Sequence, residues 1–226
     1  MDSFIRTTLA IFQKEFLSEM RKREKLNTLL FFGVVIIFLF SVALGADPNL
    51  LKTLAPGLLW LIVLFSALLG VEKTFQAEAE EGCLDRLILY SSSHRAVFLG
   101  KLLTNFVWIL FIQVTILGLM FILFDLSLPE QVPTLLLTLF LGNVGIATLG
   151  TFYAALITHT RARQAILPLL LFPMLIPLLL AAVFATGSAF AGDIMGNALL
   201  WTKILVLFDV IFLAACFLGI GPLMEA

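Results

Sequence analysis

The stretch Glu72–Lys101, EKTFQAEAEEGCLDRLILYSSSHRAVFLGK, decides how the chain is read. It is the longest polar interruption in an otherwise apolar sequence. It gathers five of the fifteen acids, Glu72, Glu78, Glu80, Glu81 and Asp85, beside four bases, Lys73, Arg86, Arg95 and Lys101. On both sides the sequence returns to long runs of Leu, Ile, Val and Phe. Here the protein can meet something in water; elsewhere it is built for lipid.

The composition agrees. Of 226 residues, 61% are hydrophobic and 13% charged, and the mean hydropathy is +1.10. An average soluble domain is about 45–50% apolar and about 25% charged. The chain reads as an all-α integral membrane protein forming a single membrane domain over 1–226. Six stretches approach the ~20 residues that cross ~30 Å of hydrocarbon: Asn27–Ala46, Thr53–Val71, Leu102–Phe124, Thr134–Ile157, Ala165–Gly187 and Ala198–Gly221. The links after the first, third and fifth carry DPN (Asp47 to Asn49), SLPEQVP (Ser127 to Pro133) and SAFAGDIMGN (Ser188 to Asn197), which are turn-rich and free of Lys and Arg.

Basic residues set the orientation. Of fourteen Lys and Arg, six lie in residues 1–26, four in 72–101 and two, Arg161 and Arg163, in the link after the fourth span; Lys52 and Lys203 alone fall on the other side. Cytoplasmic loops carry the excess of Lys and Arg, so both termini, the 72–101 stretch and the 158–164 link are expected in the cytoplasm. Residues 1–26 place Ile5, Leu9, Phe12, Phe16 and Met20 three or four apart, with Arg6, Lys14, Glu15, Arg21, Lys22 and Arg23 outside that series. This spacing predicts an amphipathic helix in the headgroup plane, in contact with membrane lipid. The segment is too charged and too long before its first apolar run to be a secretory leader, so none is expected.

The spans carry little chemistry. Asp209 is the acid well inside a span, a candidate for bonding a neighbouring helix or lining a cavity. Asp125 and Lys203 fall near span ends. Asn105, Gln113 and Asn143 suit hydrogen bonds between helices, and Gly142, Gly145 and Gly150 suit close helix approach. The fifth span holds Pro168, Pro173 and Pro177, candidate hinges because a proline removes a backbone donor; a static curved helix fits the same pattern. Catalytic motifs are absent: no HExxH, GxSxG or GxxxxGK[ST], and no Cys/His cluster at metal spacing. An enzyme and a nucleic-acid partner are not expected. His94 and His159 read as solvated loop residues rather than haem ligands. Cys83 and Cys216 belong at different depths and are not expected to pair.

Within 72–101, Leu84, Leu87 and Ile88 share one helical face behind Gly82. A short amphipathic helix between two spans can dock into a groove on another protein. The pattern EAEEGCLDRLIL, Glu78 to Leu89, followed by Gly100-Lys101, resembles the coupling-helix region of six-span ABC-2-type permeases. More narrowly, APGLLWLIVLFSALLGVEKTF (Ala55 to Phe75), the Gly100-Lys101 pair and LPLLLFPMLIPLLL (Leu167 to Leu180) resemble the CcmB family, the membrane permease component of the cytochrome c maturation haem exporter. That resemblance covers essentially the whole chain.

The resemblance implies a bacterial inner-membrane permease subunit working with an ABC ATPase subunit, a haem-handling C subunit, a small D subunit and, indirectly, a periplasmic haem chaperone. ATP hydrolysis would belong to the partner chain, and haem would be cargo or a relayed ligand rather than a resident cofactor. The coupling residues it implies are Glu78, Glu81, Gly82, Leu84, Asp85, Arg86 and Leu87. Two other functions fit the residues: a permease exporting another amphipathic substrate, and a membrane scaffold that recruits partners without transport.

Overall fold

In the computed structural model, residues 2–21, 23–45, 47–72, 74–75, 94–158, 163–192 and 197–225 are described. Among these every regular element is a helix: α1 (Asp2–Arg21), α2 (Arg23–Ala43), α3 (Pro48–Glu72), α4 (His94–Leu123), α5 (Val132–Leu156), α6 (Arg163–Ala191) and α7 (Ala198–Glu225). Five helices are long and apolar enough to cross a membrane: α3 from Asn49, α4, α5, α6 from Ile166, and α7 to Leu223. The apolar part of α2, Asn27–Ala43, is shorter. The first predicted span, Asn27–Ala46, therefore runs three residues past the end of its helix at Ala43. The chain leaves the helix through a turn at Leu44 and Gly45, where Gly45 adopts φ 65°, a conformation open to a residue without Cβ.

Local chemistry fixes the element ends. Asp47 begins α3 by accepting the Asn49 N–H on its carboxylate at 2.9 Å, an N-cap that satisfies a donor left over at the helix start. Asp125 ends α4 with φ 47°, and the Leu126 N–H returns to the Phe121 carbonyl at 3.3 Å. This is the left-handed closing turn in which a short polar side chain replaces the usual glycine.

The bundle is organised around α5, against which α3, α4, α6 and α7 all pack. Its inward residues include Leu139, Gly142, Gly145, Ile146, Ala147 and Gly150. Lipid supplies no hydrophobic drive between helices, so association depends on close packing and interhelical hydrogen bonds. Trp60 of α3 lies against Gly142, its ring occupying the space a β-carbon would need. The Trp60 indole N–H donates to Thr186 Oγ1 of α6 at 3.0 Å, which ties α3, α5 and α6 together. The helix α2 is peripheral and packs on α3 and α4. Its Phe31, Phe38, Leu39 and Val42 point outward, as expected of side chains bordered by lipid.

The helix α6 runs unbroken through Pro168, Pro173 and Pro177. Pro173 and Pro177 lie on its exposed face, whereas Leu171, Leu175, Leu178, Ala182 and Ala185 form the buried one. The backbone donors lost to these two prolines thus fall away from the packed seam.

Candidate functional site

The residues just beyond α3 come against the first turns of α4, with Thr74 and Phe75 at Lys101. Residues 74 and 75 follow α3, and α4 opens at His94. The polar stretch beginning at Glu72 therefore turns helical well before Lys101, which sits about two turns inside α4. Taking Lys101 as the edge of the span puts the third span's start at Leu102, eight residues after the helix begins.

Helix α1 lies along this part of α4. Its inward positions are Phe4, Thr8, Ile11, Glu15 and Glu19, spaced four, three, four and four. At about 100° per residue this face is rotated by roughly 100° from the Ile5, Leu9, Phe12, Phe16 and Met20 stripe. Ile5, Leu9 and Met20 remain exposed. The helix thus leaves most of its apolar stripe exposed and turns an adjacent, acid-bearing face to the bundle. Phe12 and Phe16 lie on the border: their rings stack at 5.7 Å, and Phe16 stacks on Trp108 of α4 at 5.3 Å. Gly100 permits the approach, since a Cβ there would stand 2.9 Å from Ile11 Cβ and 3.0 Å from the Thr8 carbonyl oxygen.

Lys101 is the centre of this junction, with its side chain 0% exposed. Its Nζ donates to Glu15 Oε1 at 3.2 Å and to the Thr74 carbonyl at 2.7 Å, and it stands 4.7 Å from the centre of the Phe75 ring. Charge, carbonyl dipole and aromatic face all compensate the buried ammonium. Glu15 also lies 3.5 Å from Lys14 Nζ at the surface. One turn further along α4, Asn105 accepts the Thr74 hydroxyl at 3.1 Å and donates to Thr151 Oγ1 of α5 at 2.9 Å. Thr74 is therefore held through both its carbonyl and its side chain. At the same end, the Arg95 guanidinium lies 5.3 Å from the Phe217 ring of α7. A small cavity of about 20 Å³ runs inward beside Glu19, Ser66, Asn105 and Trp108, room for roughly one water.

Deeper in the bundle, Asn143 of α5 donates to Gln113 of α4 at 2.7 Å, both buried. Asp209 of α7 is 7% exposed, and neither carboxylate oxygen meets a hydrogen-bond partner among the described residues. One of its oxygens lies 2.8 Å from where a Gly145 Cβ would stand. The facing spans of α5 and α6 contain no charged residue.

The sequence-predicted coupling residues Glu78, Glu81, Gly82, Leu84, Asp85, Arg86 and Leu87 lie outside the described residues, as do Cys83 and His159. His94 opens α4 and is half-buried. Cys216 is buried and free. No group of three metal-ligating side chains occurs among the described residues. Glu15, Thr74 and Trp108 were missed as junction residues. The available signal was the i, i+4 pair Glu15 and Glu19, set off the apolar stripe of a helix preceding a buried lysine.

The family model described as CcmB protein matches residues 6–220. The chain belongs to the CcmB family. It is 33% identical over 183 residues to Heme exporter protein B of Pseudomonas aeruginosa, covering 80% of each chain. The corresponding Haemophilus influenzae protein is 33% identical over 181 residues, 77% of this chain and 78% of that one. Heme exporter protein B of Rhodobacter capsulatus is 30% identical over 149 residues, 66% and 68% of the two chains. With its long apolar helices, this CcmB family member is a multi-pass membrane protein and a transporter subunit of the ABC permease type. The matched region includes α1 from Arg6 and therefore the whole Lys101 junction.

Proposed function

We propose that the chain is the membrane permease subunit of an ABC-type haem exporter serving cytochrome c biogenesis in the bacterial inner membrane. A separate ATPase subunit docks on the helix from Gly82 to Tyr90, through Glu78, Glu81, Gly82, Leu84, Asp85, Arg86 and Leu87. Its ATP-driven closure moves the spans, and that motion exports haem or releases the haem-loaded periplasmic chaperone, together with the C and D subunits. The helix α2 completes a six-span arrangement with both termini in the cytoplasm, and Pro168, Pro173 and Pro177 serve as hinges in α6.

The observation that carries this reading is the family match across residues 6–220, joined to relatives named Heme exporter protein B. The twelve-to-two bias of Lys and Arg supports the orientation. The junction around Lys101 supports a mechanical role, because it braces the segment on which the ATPase would push. Haem enters this reading as cargo rather than as a resident cofactor.

The test is co-purification of the ATPase subunit with Leu84→Glu and Leu87→Glu variants in mild detergent. Placing charge on the docking face should abolish retention of the ATPase while membrane insertion is unchanged. Retention equal to that of the unaltered chain would remove the docking assignment.

A further inference from the structure

A lysine wholly withdrawn from solvent at this position is not needed for packing. A methionine or leucine would fill similar space without the cost of dehydrating an ammonium. What lysine adds is direction, because its donors reach two pieces of chain distant in sequence: Glu15 on α1 and the Thr74 carbonyl just beyond α3. Thr74 stands at the entrance to the 76–93 segment, and Lys101 itself belongs to the helix that opens at the segment's exit. The Lys101 side chain thus joins three elements, two of which are the roots of the segment that would receive the ATPase's push.

The rest of the junction extends this connection. Ile11 and Thr8 rest on Gly100, and Phe16 stacks on Trp108. The α1–α4 contact therefore covers residues 100 to 108, about 12 Å of helix, with an ion pair inside it. Asn105 secures Thr74 a second time through its hydroxyl. A surface-floating anchor needs neither a buried ion pair nor a glycine cut to fit a neighbouring helix.

We infer that Lys101 is a positioning residue for coupling: it binds α1 and both roots of the 76–93 segment into one mechanical unit, so that a push on that segment moves α1 together with α3 and α4. This inference rests on the coupling reading above. It differs from a purely structural role in a testable way. Removing one partner of a buried ion pair leaves an uncompensated charge, whereas replacing both by apolar residues is often neutral for stability. A Lys101→Met/Glu15→Leu double variant should therefore restore folding without restoring the tie to Thr74.

The experiment uses the full complex, expressed in cells lacking the native subunit. For the double variant the expected result is normal assembly, normal ATPase retention and continuing ATP hydrolysis, with loss of holo-cytochrome c. Holo-cytochrome c at the unaltered level overturns the inference. Loss of ATPase retention also overturns it, because the junction would then serve docking rather than transmission.

A second variant does not depend on the double variant's stability. With Cys83 and Cys216 changed to serine, a Phe16→Cys/Trp108→Cys pair bridged by a bifunctional methanethiosulfonate places a reducible cross-link where α1 meets α4, with Gly100 left intact. If the two move as one body, cross-linking leaves holo-cytochrome c output unchanged. Output lost on cross-linking and regained on reduction shows that α1 must part from α4, and overturns the inference. If the unaltered complex makes holo-cytochrome c with a catalytically dead ATPase, the coupling reading itself fails, a result separable from either variant's behaviour.

Discussion

Asn143 Nδ2 donates to Gln113 Oε1 at 2.7 Å between α4 and α5, and both side chains are 0% exposed. The pair is an interhelical tie in a region where water is scarce. Gln113→Leu alone leaves the Asn143 amide facing an apolar neighbour. The expected cost is about 0.5–2 kcal/mol, the range of interhelical hydrogen bonds in membranes. A Gln113→Leu/Asn143→Leu double variant removes both polar groups and should recover part of the loss. Thermal unfolding of the detergent-solubilised chain checks the order: unaltered chain, then double variant, then single variant.

The Trp60 ring takes up the space over Gly142. Gly142→Ala should therefore displace the ring and strain its hydrogen bond to Thr186. Overpacking of this kind typically costs about 1–3 kcal/mol. Trp60→Phe in the same chain opens room and should relieve part of the loss, though it gives up the indole donor. A double-mutant cycle on melting temperature measures the compensation, and strictly additive effects would show that the two positions are not in contact.

At Gly100 the obstacle is a neighbouring helix rather than one flexible side chain. A β-carbon meets both Ile11 and the backbone oxygen of Thr8, so Gly100→Val should lift α1 off α4. The lifted helix loses the Phe16–Trp108 stack and exposes the Lys101–Glu15 pair to water. The expected outcome is cleavage of α1 by limited proteolysis at protease concentrations that leave the unaltered chain intact. The five long helices should resist equally in both proteins.

Much of this arrangement is legible in the residues. Long apolar runs pointed to the five helices long and apolar enough to cross a membrane, because length and hydropathy are all that such a helix needs to declare itself. Asn105, Gln113 and Asn143 stood out because a polar side chain in such a run has few uses besides bonding a neighbouring helix, and all three do so. The direction in which α1 faces the bundle was not legible. Its apolar stripe is the strongest local pattern, yet Ile5, Leu9 and Met20 of that stripe stay exposed, and the bundle is met by the face bearing Glu15. An apolar stripe reports only a preference against water, which a membrane protein can satisfy with lipid as well as with protein. Lys101 was misplaced for a related reason: a charged residue at the edge of an apolar run marks a span boundary only when the charge reaches water, and here it reaches Glu15 and a carbonyl instead.

The exposed position of Pro173 and Pro177 on α6 separates the two readings of that helix. A proline inside a helix costs up to about 3 kcal/mol relative to alanine. Because these two are exposed and stand off the packed Leu171, Leu175 and Leu178 face, replacing them should cost little packing. Pro173→Ala/Pro177→Ala should therefore raise the melting temperature of the purified chain. If the prolines serve as hinges, the same variant should make less holo-cytochrome c while still retaining the ATPase, since restored backbone hydrogen bonds stiffen the segment that must bend. A more stable chain with undiminished cytochrome c output would identify α6 as a curved but static strut, and would move the search for the flexing element to another helix.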